Sequence, residues 1–243
     1  VLSEHQALVV AIAISPNGEI IASAGDDKTI KLWNLEGKLL HSFVAHPERV
    51  WKLAFSPDGK IIVSASEDRT AKLWTPNGKL LTTLNQGGGI WGVAINPQGN
   101  LIATASQDDT LTLWKLDGTL VKTIDARSGG LTRVAFSPDG QTIATAGVDN
   151  TVKLWNLEGE LLRTLPGHKG MVVSVAFTPD GKFLVSGGDD SAVILWDLEQ
   201  IRTLNELEYA CDWVRDYLRT NVEVEEGDRS LCDNLGMRKG NGQ

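Results

Sequence analysis

The sequence predicts an all-β fold built from five copies of one unit of about 40 residues. Five tryptophans recur at intervals of 41, 40, 41 and 41 residues. A tight-turn motif recurs with the same period, and no helical pattern separates the copies. A fixed period of this length is typical of stacked supersecondary units. The periodic tryptophans are Trp33, Trp74, Trp114, Trp155 and Trp196.

Each copy is predicted to open with an apolar strand that ends in a tight turn. In the second copy the strand covers Val50–Phe55 and the turn is Ser56-Pro57-Asp58-Gly59. Proline presets the backbone at the second turn position, and glycine takes the positive φ at the end of the turn. Five such turns predict five hairpins. The other first strands are predicted at Val9–Ile14, Ile90–Ile95, Leu131–Phe136 and Val172–Phe177.

Three more strands are predicted in each copy. The second strand, such as Ile61–Ser66, is small and apolar throughout, which indicates burial on both faces. A polar loop leads to the third strand, such as Ala71–Trp74, and a turn leads to the fourth, such as Lys79–Leu84. Four short antiparallel strands per repeat are typical of one β-propeller blade. Since a blade cannot bury both faces alone, neighbouring blades must stack.

The repeated residues resemble those of the WD40-repeat family of β-propellers over residues 1–204. In that family a hydrogen-bonded tetrad joins a His before the first strand, a Ser or Thr in the second, an Asp in the next loop and the Trp of the third. The resemblance implies three complete tetrads in this chain. They are His5, Ser23, Asp27 and Trp33; His46, Ser64, Asp68 and Trp74; and His168, Ser186, Asp190 and Trp196.

The third and fourth repeats depart from the tetrad pattern at the histidine position. Glutamine and arginine stand there instead. Because of these departures, the resemblance does not imply a complete hydrogen-bond relay in blades 3 and 4, but it still implies the propeller fold. The two sets are Gln86, Thr104, Asp108 and Trp114, and Arg127, Thr145, Asp149 and Trp155.

The composition and charge indicate one large globular domain. The chain has 243 residues, 42% of them hydrophobic, and a formal net charge of −8. An acidic surface repels phosphate backbones, so we expect no nucleic-acid partner. No basic leader opens the sequence and no run approaches the ~20 apolar residues of a membrane span, so we expect a cytoplasmic protein without a membrane partner. Cys211 and Cys232 lie outside the repeats, which predicts no disulfide framework.

The repeat count leaves three possibilities open, because the resemblance implies that most members close with seven blades. The chain could belong to a larger ring, or five blades could close alone, as the range of 4–8 blades permits. Alternatively, two chains could join through their exposed blade faces as a homo-oligomer. At the end of the array, Ile201–Leu204 could supply the outer strand of the fifth blade.

After Leu204 the apolar period changes from strand to helix spacing. Leu207, Cys211, Val214 and Leu218 recur at intervals of 4, 3 and 4 residues. We therefore predict a propeller domain over 1–204 and a short helical tail with a frayed end over 205–243. The tail is interpreted as a cap on the terminal blade or as an oligomerisation helix. It resembles tails found behind WD40 arrays in large bacterial signalling and NTPase-fused proteins.

No catalytic, metal or cofactor site is predicted. Paired aspartates such as Asp26-Asp27 fall at the tetrad position, and each tetrad histidine belongs to a separate blade. Gly87–Gly89 lacks the Lys-Ser/Thr of a phosphate loop, and no serine lies in a nucleophile elbow. The chain is therefore predicted not to be an enzyme.

Two tryptophans outside the 40-residue period are the main candidates for partner binding. Trp51 and Trp91 open first strands, near the face where the resemblance implies that partners dock. Arg49 lies two residues before Trp51, and Trp and Arg dominate binding hot spots. The alternative is that both rings fill the core between blades. Further candidates precede the tetrad aspartates on the same face: Asp26, Glu67, Gln107, Val148 and Asp189.

Together these observations predict a non-catalytic scaffold or sensor module that binds unidentified protein partners. Two alternatives stay open. A small-ligand binder or enzyme would use the central channel, and it needs carboxylates or histidines clustered at one channel mouth. A self-assembly module would close the ring between chains.

Overall fold

The structure is a computed structural model that describes residues 2–203. Contacts divide the chain into two compact units, Val1–Leu195 and Trp196–Gln243. The helices predicted over 205–243, with Cys211 and Cys232, lie outside the described residues. Within the described part, nineteen strands and one short helix confirm the predicted all-β class.

The strands form five antiparallel sheets, and neighbours within each sheet follow in chain order. Blade 1 comprises β1 (Val9–Ile14), β2 (Ile20–Gly25), β3 (Thr29–Asn34) and β4 (Leu39–Val44). Blade 2 comprises β5 (Val50–Phe55), β6 (Ile62–Ser66), β7 (Thr70–Trp74) and β8 (Leu80–Asn85). Blade 3 comprises β9 (Ile90–Ile95), β10 (Leu101–Ser106), β11 (Thr110–Lys115) and β12 (Leu120–Asp125).

The last two sheets continue this order. Blade 4 comprises β13 (Leu131–Phe136), β14 (Thr142–Gly147), β15 (Thr151–Asn156) and β16 (Leu161–Pro166). Blade 5 comprises β17 (Val172–Phe177), β18 (Phe183–Gly188) and β19 (Val193–Asp197), and helix α1 (Leu198–Thr203) follows.

The predicted turns form as their residues require. In blade 2, the Gly59 amide donates to the Ser56 carbonyl at 2.8 Å, and Gly59 has a φ of 71°. The Ser56 hydroxyl donates to Asp58 Oδ1 at 2.6 Å and accepts from the Ile61 amide at 2.9 Å. The turn therefore satisfies its own polar groups and fixes the register of the hairpin.

A β-bulge interrupts the first strand of every blade at its second residue. In blade 2, Val50 faces Ser66 and Lys52 faces Ala65, so Trp51 is the extra residue between them. A bulge bends its strand and redirects the side chain that it carries. The bulged residues are Val10, Trp51, Trp91, Thr132 and Val173.

The core lies between blades. Each first strand packs on the next one along the chain, from β1 through β5, β9 and β13 to β17. Between blades 1 and 2, Ile30 and Leu32 of β3 share a buried cluster with Leu53, Ile62 and Trp74 of the next blade. The periodic tryptophan thus fills the interface with the preceding blade, which explains its period.

The predicted outer strand of blade 5 is wrong, because residues 198–203 form helix α1 instead. In blade 1 the turn before the outer strand closes when the Gly37 amide donates to the Asn34 carbonyl at 3.0 Å, with Gly37 at a φ of 86°. Blade 5 has no glycine at the matching point of the chain. Its described part therefore contains three strands.

The residue that redirects the chain is Asp197. Its Oδ1 accepts hydrogen bonds from the amides of Glu199 and Gln200 at 3.0 and 3.1 Å. A side-chain oxygen that accepts from the second and third following amides is a helix N-cap. Asp197 therefore starts α1 where the other repeats form a turn. Within residues 2–203, no helix is long and apolar enough to cross a bilayer.

Candidate partner-binding face

The predicted tetrad residues of blade 2 form a continuous relay of hydrogen bonds. Trp74 Nε1 donates to Ser64 Oγ at 2.9 Å, and Ser64 Oγ lies 2.7 Å from His46 Nε2. His46 Nδ1 lies 2.8 Å from Asp68 Oδ2. Since a carboxylate only accepts, Nδ1 carries the proton and the Ser64 hydroxyl donates to Nε2.

Blade 1 repeats this relay, and in blade 5 the histidine joins the serine and the aspartate in the same way. In blade 1 the corresponding distances are 2.8, 2.7 and 2.7 Å for Trp33, Ser23, His5 and Asp27. In blade 5, His168 Nε2 lies 2.8 Å from Ser186 Oγ, and Nδ1 lies 3.1 Å from both carboxylate oxygens of Asp190. Trp196 is a buried residue of β19.

Electrostatics hold the tetrad in one charge state. Burial alone raises the pKa of Asp68, but hydrogen bonds from His46 and Thr70 outweigh it and lower that pKa to about 2. Asp27 has the same opposing causes, and its pKa is also about 2. Burial lowers the pKa of His46. Asp27 and Asp68 therefore stay ionised and act as acceptors in the relay.

Blade 3 completes the relay with glutamine. Gln86 accepts from Thr104 Oγ1 at 2.7 Å, and its Nε2 donates to Thr110 Oγ1 at 2.7 Å. Thr110 Oγ1 in turn donates to Asp108 Oδ1 at 2.6 Å. Trp114 donates to Thr104 at 2.9 Å. The path from Trp to Asp is therefore continuous, although it passes through an amide and a second hydroxyl.

In blade 4 a lysine of the third strand, and not the residue at the histidine position, pairs with the tetrad aspartate Asp149. Arg127 is exposed, with a φ of 50°, and its guanidinium pairs with Asp125. Instead, Lys153 of β15 is buried, and its Nζ has four acceptors at 2.7–2.9 Å. These are the carbonyls of Ala126 and Arg127, Ser128 Oγ and Asp149 Oδ2.

Sequence reasoning missed Lys153, although a signal was present. Lys31 and Lys72 occupy the same place on the third strands of blades 1 and 2, each between apolar residues. Lys31 Nζ donates to Ser42 Oγ at 2.8 Å, and Lys72 Nζ donates to the Ala45 carbonyl at 2.9 Å. A lysine at this point therefore reaches polar groups inside the blade.

Asp109, also missed from the sequence, holds the loop that leads into blade 4. Its carboxylate accepts from the amides of Ser128, Gly129 and Gly130 at 2.8, 3.1 and 3.2 Å. Asp109 has a φ of 71°. The residues at the same position in the other blades have φ values within a few degrees of it. The counterparts are Lys28, Arg69, Asn150 and Ser191, none of which is a carboxylate.

Five of the predicted binding residues form one cluster, which we call the tryptophan platform: Asp26, Arg49, Trp51, Glu67 and Trp91. Trp51 and Trp91 both donate their indole N–H to Glu67 Oε2, at 2.5 and 3.0 Å. Their ring centroids are 5.8 Å apart at an interplanar angle of 55°. The Arg49 guanidinium lies 4.6 Å from the Trp51 ring centroid and pairs with the Asp26 carboxylate.

Two structural features bring the platform together. The bulges redirect both indoles, because Trp51 and Trp91 are the extra residues of β5 and β9. The glycine run Gly87–Gly89 leaves room for carboxylates. A Cβ on Gly89 would lie 3.2 Å from the Glu67 carboxylate, and one on Gly87 would lie 2.5 Å from Asp108 Oδ2.

The remaining predicted binding residues lie outside the platform. Gln107, Val148 and Asp189 are exposed. Within residues 2–203, none of their side chains forms a hydrogen bond or ion pair with a residue of the tryptophan platform. Their backbone amides instead pair with the chain segments that precede the first strands of blades 3, 4 and 5.

Sequence reasoning also missed two cations beside the platform, Lys52 and Arg133. Each is the third residue of a first strand, directly after the bulge. The equivalent residues are uncharged: Ala11, Gly92 and Ser174. A charged residue in an otherwise apolar inner strand was the available signal.

Five stacked antiparallel blades with tetrad relays define this protein as a propeller-type repeat protein. The chain belongs to the WD40-repeat β-propeller family. The profile described as "IFT122 first beta-propeller" matches residues 1–158, and the one described as "WD domain, G-beta repeat" matches residues 159–197.

Short segments are also similar to named proteins. "Small ribosomal subunit protein RACK1y" of Oryza sativa subsp. japonica is 42% identical over 60 residues, 21% of this chain and 18% of that protein. "Nuclear distribution protein PAC1" of Scheffersomyces stipitis is 64% identical over 31 residues, which are 13% of this chain and 6% of that protein. The protein of the same name from Komagataella phaffii is 48% identical over 48 residues, which are 20% of this chain and 9% of that protein. The match spans less than a fifth of each relative. The likeness to bacterial arrays stays a prediction.

Proposed function

We propose that this chain is a non-catalytic protein-interaction scaffold whose partners dock on the tryptophan platform. The observation that carries the proposal is the shared acceptor of Trp51 and Trp91, since one Glu67 oxygen fixes both rings. Rigid aromatic side chains lose little conformational entropy when a partner binds. The fixed ring pair is therefore suited to anchor a protein or peptide.

The indole N–H groups and the Arg49 guanidinium of the platform already have partners within the chain. Both indole N–H groups donate to Glu67, and the Arg49 guanidinium pairs with Asp26. What the platform offers is thus apolar ring surface surrounded by compensated charge. Such a centre with a polar rim is typical of protein interfaces, and it keeps the cost of desolvation low.

The charges near the platform support a binding role over catalysis. A channel enzyme needs carboxylates or histidines that face one another at the channel mouth. The charged residues at the third position of the first strands are two cations, Lys52 and Arg133. The tetrad histidines are each engaged within one blade.

Replacement of both platform rings tests the proposal. Peptides selected from a display library on the wild-type protein should bind the Trp51→Ala/Trp91→Ala variant at least about 30-fold more weakly, because truncating two hot-spot rings removes 2 kcal/mol or more. Calorimetry measures the affinities. Circular dichroism and thermal unfolding show whether each variant is folded.

The matched control is Leu120→Ala/Val121→Ala, which removes two exposed apolar side chains from the outer strand β12. It should bind the selected peptides as wild type does. Trp51→Phe/Trp91→Phe keeps the ring packing and should keep most of the binding. Unchanged affinity in the double alanine variant would refute the role of the platform.

A second candidate function, self-assembly, is favoured by the two ends of the blade array. We define the leading face by Ile12 and Ile14, which are 63% and 62% exposed, and the trailing face by Val193 and Leu195, at 76% and 60%. The residues equivalent to Ile12 in the other blades are at most 8% exposed: Leu53, Val93, Val134 and Val175. Those equivalent to Val193 are fully buried: Ile30, Ala71, Leu111 and Val152.

The internal interfaces suggest what covers these two faces. Blades 1, 2 and 3 bury the side chains equivalent to Val193 and Leu195 against the one equivalent to Ile12 in the next blade. Burying one large apolar side chain stabilises a contact by about 1.5–3 kcal/mol. We propose that the leading face of one array packs on the trailing face of another, as further blades of the same type would.

This contact is head-to-tail, which gives a test by complementation. The mass measured by light scattering should rise between two protein concentrations for the wild type, and stay monomeric for Ile12→Asp or Val193→Asp. An equimolar mixture of the two variants should form dimers and nothing larger, because each retains one intact face. Leu81→Asp, on the outer strand β8, is the control and should behave as wild type. A wild type that is monomeric at both concentrations would exclude self-assembly.

A further inference from the structure

Two like charges lie beside the tryptophan platform without a counter-ion among residues 2–203. Lys52 and Arg133 occupy the same position of β5 and β13, and β9 packs between these strands. The intervening residue is Gly92, which brings no side chain between them. A Cβ there would lie only 2.9 Å from the Arg133 Cα, so the backbone of β13 closes directly on β9.

The hydrogen bonds of Arg133 leave most of its donors unused. Nη1 donates to the carbonyls of Trp91 and Thr132 at 3.0 and 2.7 Å. A guanidinium has five N–H donors in a planar fork that suits an oxyanion. Lys52 has no hydrogen bond or ion pair to any residue that the structure describes. Neither cation is paired with a carboxylate in residues 2–203.

The local environment makes this pair of charges costly. Burial lowers the pKa of Arg133. Burial, and next the nearby charge of Arg133, lower the pKa of Lys52. The whole chain carries a formal charge of −8, so acidic side chains are abundant elsewhere. Partly buried cations that face each other without compensation are typical of a site that receives an anion.

We propose that Lys52 and Arg133 form an oxyanion site that binds an acidic side chain of the partner docked on the tryptophan platform. The two sites meet at Trp91, whose ring belongs to the platform and whose carbonyl accepts from Arg133. The partner is therefore a peptide segment that carries a carboxylate next to an apolar or aromatic residue. This inference rests on the proposed scaffold function.

The probe is hexaglutamate, and hexaglutamine serves as the uncharged control. Calorimetry measures the affinity of each peptide. The wild type should bind hexaglutamate and not hexaglutamine, and binding should weaken from 50 to 200 mM salt. Lys52→Met should weaken binding at least tenfold. It should also raise the thermal midpoint by about 2–4 °C, since it removes a repulsive charge that has no partner. A purely structural role for Lys52 predicts a lower midpoint instead.

The controls separate the possible outcomes. Lys60→Met removes an exposed cation paired only with Asp58, and it should bind hexaglutamate as wild type does. Arg133→Lys keeps the charge, so it should retain more affinity than Arg133→Met. The oxyanion site would be refuted if the wild type and Lys52→Met bound hexaglutamate equally well, or if the wild type did not bind it. This holds even if binding of the library peptides still requires the tryptophans. Conversely, hexaglutamate binding could depend on Lys52 while the library peptides bind equally well with and without the two tryptophans. That result would support the oxyanion site and refute the binding role of the platform.

Discussion

The His46→Ala variant is expected to lose about 2–4 kcal/mol of the free energy of unfolding, measured by urea denaturation. His46 is 1% exposed and joins Ser64 to Asp68 in blade 2. Without the imidazole, the serine hydroxyl and the carboxylate each lose a partner in a buried place, and a void replaces the ring. Unsatisfied buried polar groups and cavities are the two most expensive defects in a packed interior.

The chain itself supplies the matched control for this prediction. His46→Gln should cost less than about 1.5 kcal/mol, because an amide can accept from one hydroxyl and donate to another. Gln86 does this between Thr104 and Thr110 in blade 3. Ser64 and Thr70 offer the same pair of hydroxyls in blade 2. Equal losses for the alanine and glutamine variants would show that ring volume, not the relay, stabilises the blade.

The Lys153→Met variant is expected to lose a similar amount, about 2–4 kcal/mol of the free energy of unfolding, because it leaves several acceptors unpaired at once. Methionine preserves most of the side-chain volume, so the loss reports the ammonium group. Its four acceptors include the Asp149 carboxylate and the carbonyls of Ala126 and Arg127. Urea denaturation and thermal unfolding both measure the effect.

Lys31→Met is the control, since Lys31 is as deeply buried as Lys153, at 8% against 7% exposure. Its Nζ has one acceptor, Ser42 Oγ. Its replacement should therefore cost about 1 kcal/mol or less. A loss as large as that of Lys153→Met would mean that the number of acceptors around the ammonium group does not determine its contribution to stability.

The strands were predictable because their signals are local. An apolar run, a Ser-Pro-Asp-Gly turn and a periodic tryptophan fix each hairpin within a few residues of chain, and the strand bounds agree within one or two residues. The error at residues 201–203 has a local cause as well. The Ile-Arg-Thr run resembled the Leu-Arg-Thr of the blade 4 outer strand. The turn before it lacks glycine, however, and Asp197 caps a helix there instead.

The site was predictable only in part, because it depends on where distant side chains converge. Trp51, Trp91 and Arg49 were visible as exceptions to the repeat. That one Glu67 oxygen would accept from both indoles was not, since this contact depends on two bulges in different blades. Lys153 was missed for the same reason, because its carbonyl acceptors lie 26 and 27 residues earlier in the chain.

The carboxylate of Asp109 links blade 3 to backbone amides of the segment that leads into blade 4. Three successive amides, at residues 128–130, lie outside any strand and donate to this one side chain of the preceding blade. When blade 3 opens, these three amides therefore lose their common acceptor, the only one that they share within residues 2–203. Stability in repeat proteins spreads through such nearest-neighbour contacts, and local opening follows cooperative units. We therefore expect blades 3 and 4 to open together, so that the boundaries of local unfolding in this array do not coincide with the boundaries of its repeats.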